Sequence, residues 1–180
     1  MTKQINIQFY KTKYAEFILG SFDQKLCLLD FKYRKMRNAV DRRLKQGLDA
    51  DYVEQDDPIL QTVRVQIDEY LSGTRRLFDI PLLMVGSDFQ KSVWNTLLDV
   101  PYGQTSSYLE LSKKIGNTKA VRAVAAANGA NAISLIIPCH RIIGSNGDLV
   151  GYGGGLPLKK RLLKLEQGVE PTFVTADLFG

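Results

Sequence analysis

Two side chains capable of covalent chemistry stand next to each other in Ile136-Ile137-Pro138-Cys139-His140-Arg141. A cysteine thiolate is a strong nucleophile. A helix start, an arginine or a protonated histidine beside it lowers its pKa from about 8.5. Pro138 holds Ile137 in extended geometry, so the chain changes direction at the proline and Cys139 falls where a turn or helix can begin. In a plain strand Cys139 and His140 would point to opposite faces, so cooperation between them requires a turn or a bridging water. His140 is the only histidine in the chain. The alternative is a buried structural cysteine beside an incidental histidine. Cys27, within Leu26-Cys27-Leu28, has no titratable neighbour beside it and reads as core.

A carboxylate that orients His140 would complete a chain of nucleophile, base and orienter. Glu166 is the candidate. It ends a helix that Leu156-Pro157 opens and that carries Leu158, Leu162 and Leu165 on one stripe. Its alternative is a solvated charge ahead of Gly168. Gly151-Tyr152-Gly153-Gly154-Gly155 lies before that helix. It lacks the Lys-Ser/Thr ending of a phosphate-binding loop, and suits a lid or a close backbone approach to a planar ligand. Upstream, Asn146-Gly147 between Ile142-Ile143 and Leu149-Val150 predicts a β-hairpin with Ser145 near its tip.

The elements that must position these groups are helical. Asp88 is the expected cap of a helix carrying Phe89, Val93, Trp94 and Leu97, ended by Pro101-Tyr102-Gly103. Ser107 and Glu110 have the spacing of a capping box, opening a helix with Leu111 and Ile115 on one face. Gly116-Asn117-Thr118 is a tight turn, and Lys119 to Ala127 form the next helix. Two short helices across such a turn are the pattern of a helix-turn-helix. On the second helix Val121 and Val124 face the core. Thr118, Arg122, Ala126 and Gly129 share another face, bare apart from one arginine. That face fits close approach to a flat or grooved partner, or an Ala-rich helix packed within its own domain with Arg122 in solvent.

The N-terminal half reads differently. Ile5, Ile7 and Phe9 alternate with polar residues, and Phe17-Ile18-Leu19 and Leu26 to Leu29 are short apolar runs. They predict two or three antiparallel strands. Arg34 to Asp57 reads as a short helix and loops. Pro58 opens a helix with Ile59, Val63, Ile67 and Leu71, stopped at Gly73, and Leu77 to Leu83, broken by Pro81, reads as an edge strand or linker. The expected class is α+β. Residues 1–84 form an N-terminal α/β domain with a small antiparallel sheet, and residues 85–180 form a mostly helical, winged helix-turn-helix-like domain.

Composition narrows the function classes. The 180 residues are 44% hydrophobic and 24% charged, which excludes global disorder and provides for one medium domain or two small ones. No apolar run approaches the roughly 18 residues of a membrane span, and Met1-Thr2-Lys3-Gln4 lacks a signal peptide's apolar core. Two cysteines exclude a disulfide scaffold, and one histidine argues against a zinc site. The expectation is a cytoplasmic protein with free thiols. A formal net charge of +5 is either a mildly basic surface or attraction to a polyanion such as nucleic acid.

Pro138-Cys139-His140-Arg141, preceded by the isoleucine run and followed by the Asn-Gly and glycine-rich loops, resembles the O6-alkylguanine-DNA alkyltransferase family. The resemblance covers about Phe89 to Gly168; the N-terminal half is similar only in size and β-rich pattern. It implies that Cys139 accepts the alkyl group, that His140 acts on it as a base through a water, and that Glu166 holds His140. By the same resemblance, Asn131 braces the active-site turn. Tyr108 helps rotate the nucleotide and contacts the extruded guanine, and Arg122 fills the vacated stack. Asn117 and Ser145 contact DNA, while Tyr152, Gly153 and Gly154 close over the base. The implied partner is duplex DNA carrying O6-alkylguanine, with O4-alkylthymine as a further candidate lesion. The protein would work as a monomer, with no cofactor, no metal and no membrane contact, and be consumed in one turnover. Some relatives carry a structural zinc in the N-terminal domain; the single histidine here already has another role. A non-catalytic lesion-binding protein is the alternative, but such relatives carry tryptophan where Cys139 stands. A cysteine hydrolase would need a histidine distant in sequence.

Overall fold

The computed structural model describes residues 3–168. Met1, Thr2 and residues 169–180, the end of the expected C-terminal unit, lie outside the described residues. Period-two patterning produces three consecutive antiparallel strands, β1 (Lys3–Lys11), β2 (Glu16–Phe22) and β3 (Lys25–Phe31). β2 and β3 are buried along nearly their whole length because helices cover both faces of the sheet. On one face Ile5, Ile7, Ile18 and Leu28 share a core with Val40 and Leu44 of α1 (Arg37–Leu48). On the other, Phe17, Leu19, Leu29 and Phe31 share a core with Leu60, Val63 and Ile67 of α2 (Pro58–Leu71). Pro58 stands in the first turn of α2, and Asp57 caps it by accepting from the Leu60 amide at 2.9 Å.

The sheet is mixed rather than antiparallel. A fourth strand, β4 (Ala50–Glu54), pairs parallel with β1, giving the order β3-β2-β1-β4. It arises inside the stretch expected to hold only a short helix and loops. Only Ala50 of β4 is buried; Asp51, Val53 and Glu54 are exposed. An edge strand of that kind presents no hydrophobic alternation to read. Leu77 to Leu83 touches the sheet at a single bridge, where Leu26 exchanges backbone hydrogen bonds with Pro81 and Leu83 at 2.8 Å each.

In the second half, α3 (Asp88–Leu97), α4 (Tyr108–Ile115) and α5 (Val121–Gly129) pack on one another. The Trp94 indole donates to the Ala127 carbonyl at 2.8 Å. Ser87, not Asp88, caps α3, and it forms the reciprocal box with Gln90. At α4 the box is only half made. Ser107 accepts from the Glu110 amide, while the Glu110 carboxylate takes the Ser106 hydroxyl instead. The helix after the turn begins at Val121, two residues later than expected; Val124 is buried and Val121 half-buried.

The expected Asn-Gly hairpin does not form as a ladder. The turn closes through the Gly144 amide to the Asp148 carbonyl at 2.8 Å, with Gly147 at φ +87°. Ile142–Ile143 (β6), however, pairs parallel with Ser106–Ser107 (β5), and Leu149-Val150 is not a strand. The buried Lys159 ammonium takes the carbonyls of both Ile142 and Val150, which a hairpin ladder would have to share between its two arms. The last helix, α6 (Leu156–Glu166), has the predicted buried leucines Leu158, Leu162 and Leu165. The halves meet in one continuous core that runs from Phe17 to Leu165. They are also stitched by backbone bonds from Leu29 to Ala132 and from Ser134 to Leu29. No helix among the described residues is long and apolar enough to cross a membrane.

Candidate active site

Pro138 ends the buried isoleucine segment, and Cys139–Arg141 form one 3-10 turn. The turn resolves the strand objection, because successive side chains no longer alternate between two faces. Cys139 lines a cavity of about 640 Å³ together with Tyr33, Arg34, Met36, Tyr108, Asn128, Asn131, Ser134 and Gly151–Gly155. His140 and Arg141 turn away from it, towards the end of α6.

Asn131 braces the turn. Its side-chain amide donates to the Ile137 carbonyl at 2.9 Å and to the Cys139 sulfur at 3.2 Å, and its Oδ1 accepts from the Ile133 amide at 2.9 Å. In the loop between them Leu135 sits at φ +69°, a left-handed conformation that a leucine rarely adopts.

His140 is fully buried. Its Nε2 lies 2.6 Å from Glu166 Oε2. A carboxylate oxygen only accepts, so Nε2 carries the hydrogen and Nδ1 keeps its lone pair. Nδ1 has no hydrogen-bond partner among the described residues, and no direct hydrogen bond joins the imidazole to the Cys139 sulfur. Burial lowers the pKa of His140 against the pull of Glu166, so the ring is neutral. Glu166 is buried, not solvated. Burial alone would raise its pKa, but His140 and Arg141 together bring it down to about 2. Arg141 holds it through Nε to Oε1 at 2.7 Å and Nη2 to Oε2 at 3.1 Å, and spends Nη1 on the Val100 carbonyl at 2.7 Å. The Tyr70 hydroxyl, from α2, donates to Oε2 at 2.5 Å.

The expected lowering of the thiol pKa does not occur. Burial raises the Cys139 pKa, offset only in part by the Asn131 amide. His140 is uncharged and Arg141 is committed to Glu166, so neither neighbour in sequence stabilises a thiolate. A cation from elsewhere lies near it: Lys159, fully buried, with its own pKa pushed down by burial to about 8 against the pull of Cys139. The Leu158-Leu162-Leu165 stripe gave no hint of Lys159.

Tyr108, at the start of α4, and Tyr152 both line the cavity. Burial, reinforced by Cys139, holds both phenols protonated. The Tyr152 hydroxyl is buried without a hydrogen-bond partner among the described residues. Gly153 and Gly154 do permit close approach to planar groups, but those groups belong to the N-terminal half. A Cβ on Gly154 would stand 2.7 Å from the Phe31 ring, and one on Gly153 3.0 Å from the Arg34 guanidinium. Asp30, wholly buried, pairs with Arg34, and Arg34 donates onward to the Gly129 carbonyl at 2.6 Å. Arg122, Asn117 and Ser145 are not in the cavity. They are exposed, and the face of Thr118, Arg122, Ala126 and Gly129 is open along its length. Among the described residues no group of three or more His, Cys, Asp or Glu side chains could hold a metal ion. Tyr70, Lys159 and Arg34 are site groups that sequence reasoning missed. Only the requirement that a buried phenol, ammonium or guanidinium find a partner could have flagged them.

Residues 5–84 match the family described as 6-O-methylguanine DNA methyltransferase, ribonuclease-like domain, and residues 88–168 match its DNA binding domain. The chain is 48% identical over 150 residues to a methylated-DNA–protein-cysteine methyltransferase of Methanosarcina barkeri, covering 83% of this chain and 89% of that protein. It is 46% identical over 132 residues to the one of Methanosarcina acetivorans, covering 73% and 84%. Among solved structures, a Mycobacterium tuberculosis OGT crystallised in complex with DNA superposes with a TM-score of 0.80 at 34% identity, over 97% of this chain and 99% of that one. The similarity extends through the N-terminal half, where sequence reading found only a likeness of size and pattern.

The depressed pKa of Glu166 fixes a pH dependence. A carboxyl whose folded pKa lies below its unfolded value adds stability above about 4.5, which is lost as pH falls towards about 2. The wild-type protein should lose on the order of 3 kcal/mol through that window on this account. Glu166→Gln should be less stable at neutral pH, because Arg141 is left unpaired, and should show a flatter acid limb. Denaturant unfolding at several pH values measures both, and equal acid losses in the two proteins would contradict the assignment.

Proposed function

The chain belongs to the 6-O-methylguanine DNA methyltransferase family, and from that premise we propose that Cys139 is its alkyl acceptor, served by His140 and Glu166. Its activity is DNA repair: an alkyl group leaves O6 of guanine in DNA and is taken up by a cysteine of the protein. The observation that carries the assignment to Cys139 is its place on the wall of the cavity, next in sequence to a buried neutral imidazole whose Nδ1 has no hydrogen-bond partner among the described residues and whose Nε2 is held by a carboxylate.

The open helix face and the basic charge bind duplex DNA largely through phosphates, without strong sequence readout. Small residues on α5 let the helix approach the duplex closely. A damaged guanine pairs poorly, so extruding it costs less than for a normal base, typically a few kcal/mol. Arg122, exposed on the first turn of α5, fills the gap. Asn117 and Ser145 add contacts from the turn before α5 and from the loop after β6. The extruded base enters the cavity between Tyr108 and the Tyr152-Gly153-Gly154 loop.

There the thiol proton passes through a water to Nδ1 of His140, and the imidazolium that forms faces Glu166. The Cys139 sulfur attacks the alkyl carbon in line with the C–O6 bond. The S–C bond forms as the C–O6 bond breaks, and the electron pair goes to guanine. Tyr108, kept protonated by its surroundings, supplies a proton to the departing base and regains one from the imidazolium by way of solvent, so that in net terms the thiol loses one proton and guanine gains one. Holding sulfur and carbon in line supplies much of the acceleration. Lys159 offsets the charge on sulfur during attack. The product is a thioether that no neighbouring thiol can reverse. Cys27, the other cysteine, packs on the opposite face of the sheet with its pKa pushed up to about 12. One molecule therefore repairs one lesion. The division into residues 1–84 and 85–180 assigns DNA contact to the second unit. A DNA substrate places the reaction in the compartment that holds the DNA, which we take to be the cytoplasm.

Incubation with a duplex containing O6-methylguanine should add one methyl group per protein molecule. Intact-mass and peptide analysis should locate it on Cys139, with none on Cys139→Ala; repeated turnover by unmodified protein would reject the mechanism. Arg122→Ala should slow repair of the duplex at least tenfold, yet leave the reaction with free O6-benzylguanine near the wild-type rate. Equal losses on the two substrates would remove Arg122 from its role in the base stack.

A further inference from the structure

Glu166 Oε2 is approached from both halves of the chain. His140 Nε2 reaches it at 2.6 Å from the 3-10 turn, and the Tyr70 hydroxyl at 2.5 Å from α2, 96 residues away in sequence. The same hydroxyl lies 3.3 Å from Nε2 itself. Tyr70 is fully buried, its ring against Phe78 and Tyr102. Packing alone would be met by phenylalanine. The hydroxyl instead meets the one carboxylate oxygen that fixes the imidazole.

Two consequences follow from donor and acceptor rules. The Tyr70 phenol keeps its proton, since burial and the facing carboxylate both oppose ionisation, and so it is a permanent donor to Oε2. With Arg141 bridging Oε1 and Oε2 and Tyr70 adding a second donor on Oε2, the carboxylate plane is held at both ends. The imidazole cannot then rotate to its other tautomer without setting a lone pair against Oε2. We propose that Tyr70, from the N-terminal half, is a positioning residue for alkyl transfer: it shares Glu166 Oε2 with His140 and thereby fixes the tautomer that leaves Nδ1 free to take the Cys139 proton. This rests on the function proposed above and gives the N-terminal half a part in the reaction.

The charged and titratable groups facing His140 are Glu166 and Lys159 from α6, Arg141 from the turn, Tyr152 from the glycine-rich loop, and Tyr70 from α2 with Tyr102 beside it. Of these only Glu166 favours the imidazolium. A hydroxyl that donates to Glu166 draws charge from it and so disfavours protonation of His140; removing the hydroxyl returns that charge. Because His140 is the only histidine, its ring ¹⁵N and ¹³C resonances report its tautomer and protonation midpoint without ambiguity. In folded Tyr70→Phe the midpoint should rise by about half a pH unit or more, and alkyl transfer should slow about tenfold on free O6-benzylguanine and on duplex alike. Placing 3-fluorotyrosine at position 70 alone keeps the shape and strengthens the donor, and it should move the midpoint down. An unmoved or lowered midpoint in Tyr70→Phe, or an unmoved or raised one with 3-fluorotyrosine, overturns the proposal whatever the rates. Absence of alkyl on Cys139 in the wild-type protein would instead reject the proposed function, and the midpoints remain measurable in that case.

Discussion

A carboxylate buried between two halves of a chain must be surrounded by donors or give up its charge. Glu166 keeps its charge because Arg141, His140 and Tyr70 all donate to it. Much of the site follows from that single requirement. Arg141 is drawn inward from the 3-10 turn, while Cys139 stays on the cavity side. His140 is fixed as the Nε2–H tautomer, which leaves Nδ1 as the basic atom. Tyr70 can meet the carboxylate only if α2 is packed against the helical half, so the reactive arrangement exists only when both halves have folded together.

The same burial that keeps His140 neutral also acts on Cys139. Cys139 is not a free-standing thiolate; its pKa is raised, and nothing adjacent in sequence counters this. On the mechanism proposed above, reactivity is confined to the moment when a substrate occupies the cavity and a proton route to Nδ1 is complete. For a protein spent in one reaction, this avoids loss of the sulfur to stray electrophiles. Phe31 and Arg34 pack closely against the glycine-rich loop from the N-terminal side, and Arg34 also lines the cavity.

Local chemistry was legible in the sequence, and long-range chemistry was not. Pro138 placed Cys139 where a turn or helix could begin, and the leucine stripe of α6 placed Glu166 at its end. The run of small residues around Arg122 described an open helix face. What failed did so for identifiable reasons. β4 is a short edge strand with one buried residue and so has no pattern to detect. The Asn-Gly turn forms, but the carbonyls its ladder would use belong to Lys159. The thiol pKa rises rather than falls because proximity in sequence is not proximity in charge: Arg141 faces Glu166. Tyr70 lay on a helix read only for its apolar stripe, and its role appears only when the partner 96 residues away is in view.

On the proposed mechanism the Glu166-held imidazole, rather than the intrinsic acidity of the thiol, makes Cys139 reactive near neutrality. The most direct test is the rate of methyl transfer to Cys139 as a function of pH in the wild-type protein and in His140→Gln. The wild-type rate should be nearly independent of pH through neutrality. In the variant the rate should be much lower and should rise in proportion to hydroxide, because only the spontaneously ionised thiol can attack. A His140→Gln protein that keeps the wild-type rate and its flat profile would contradict the account.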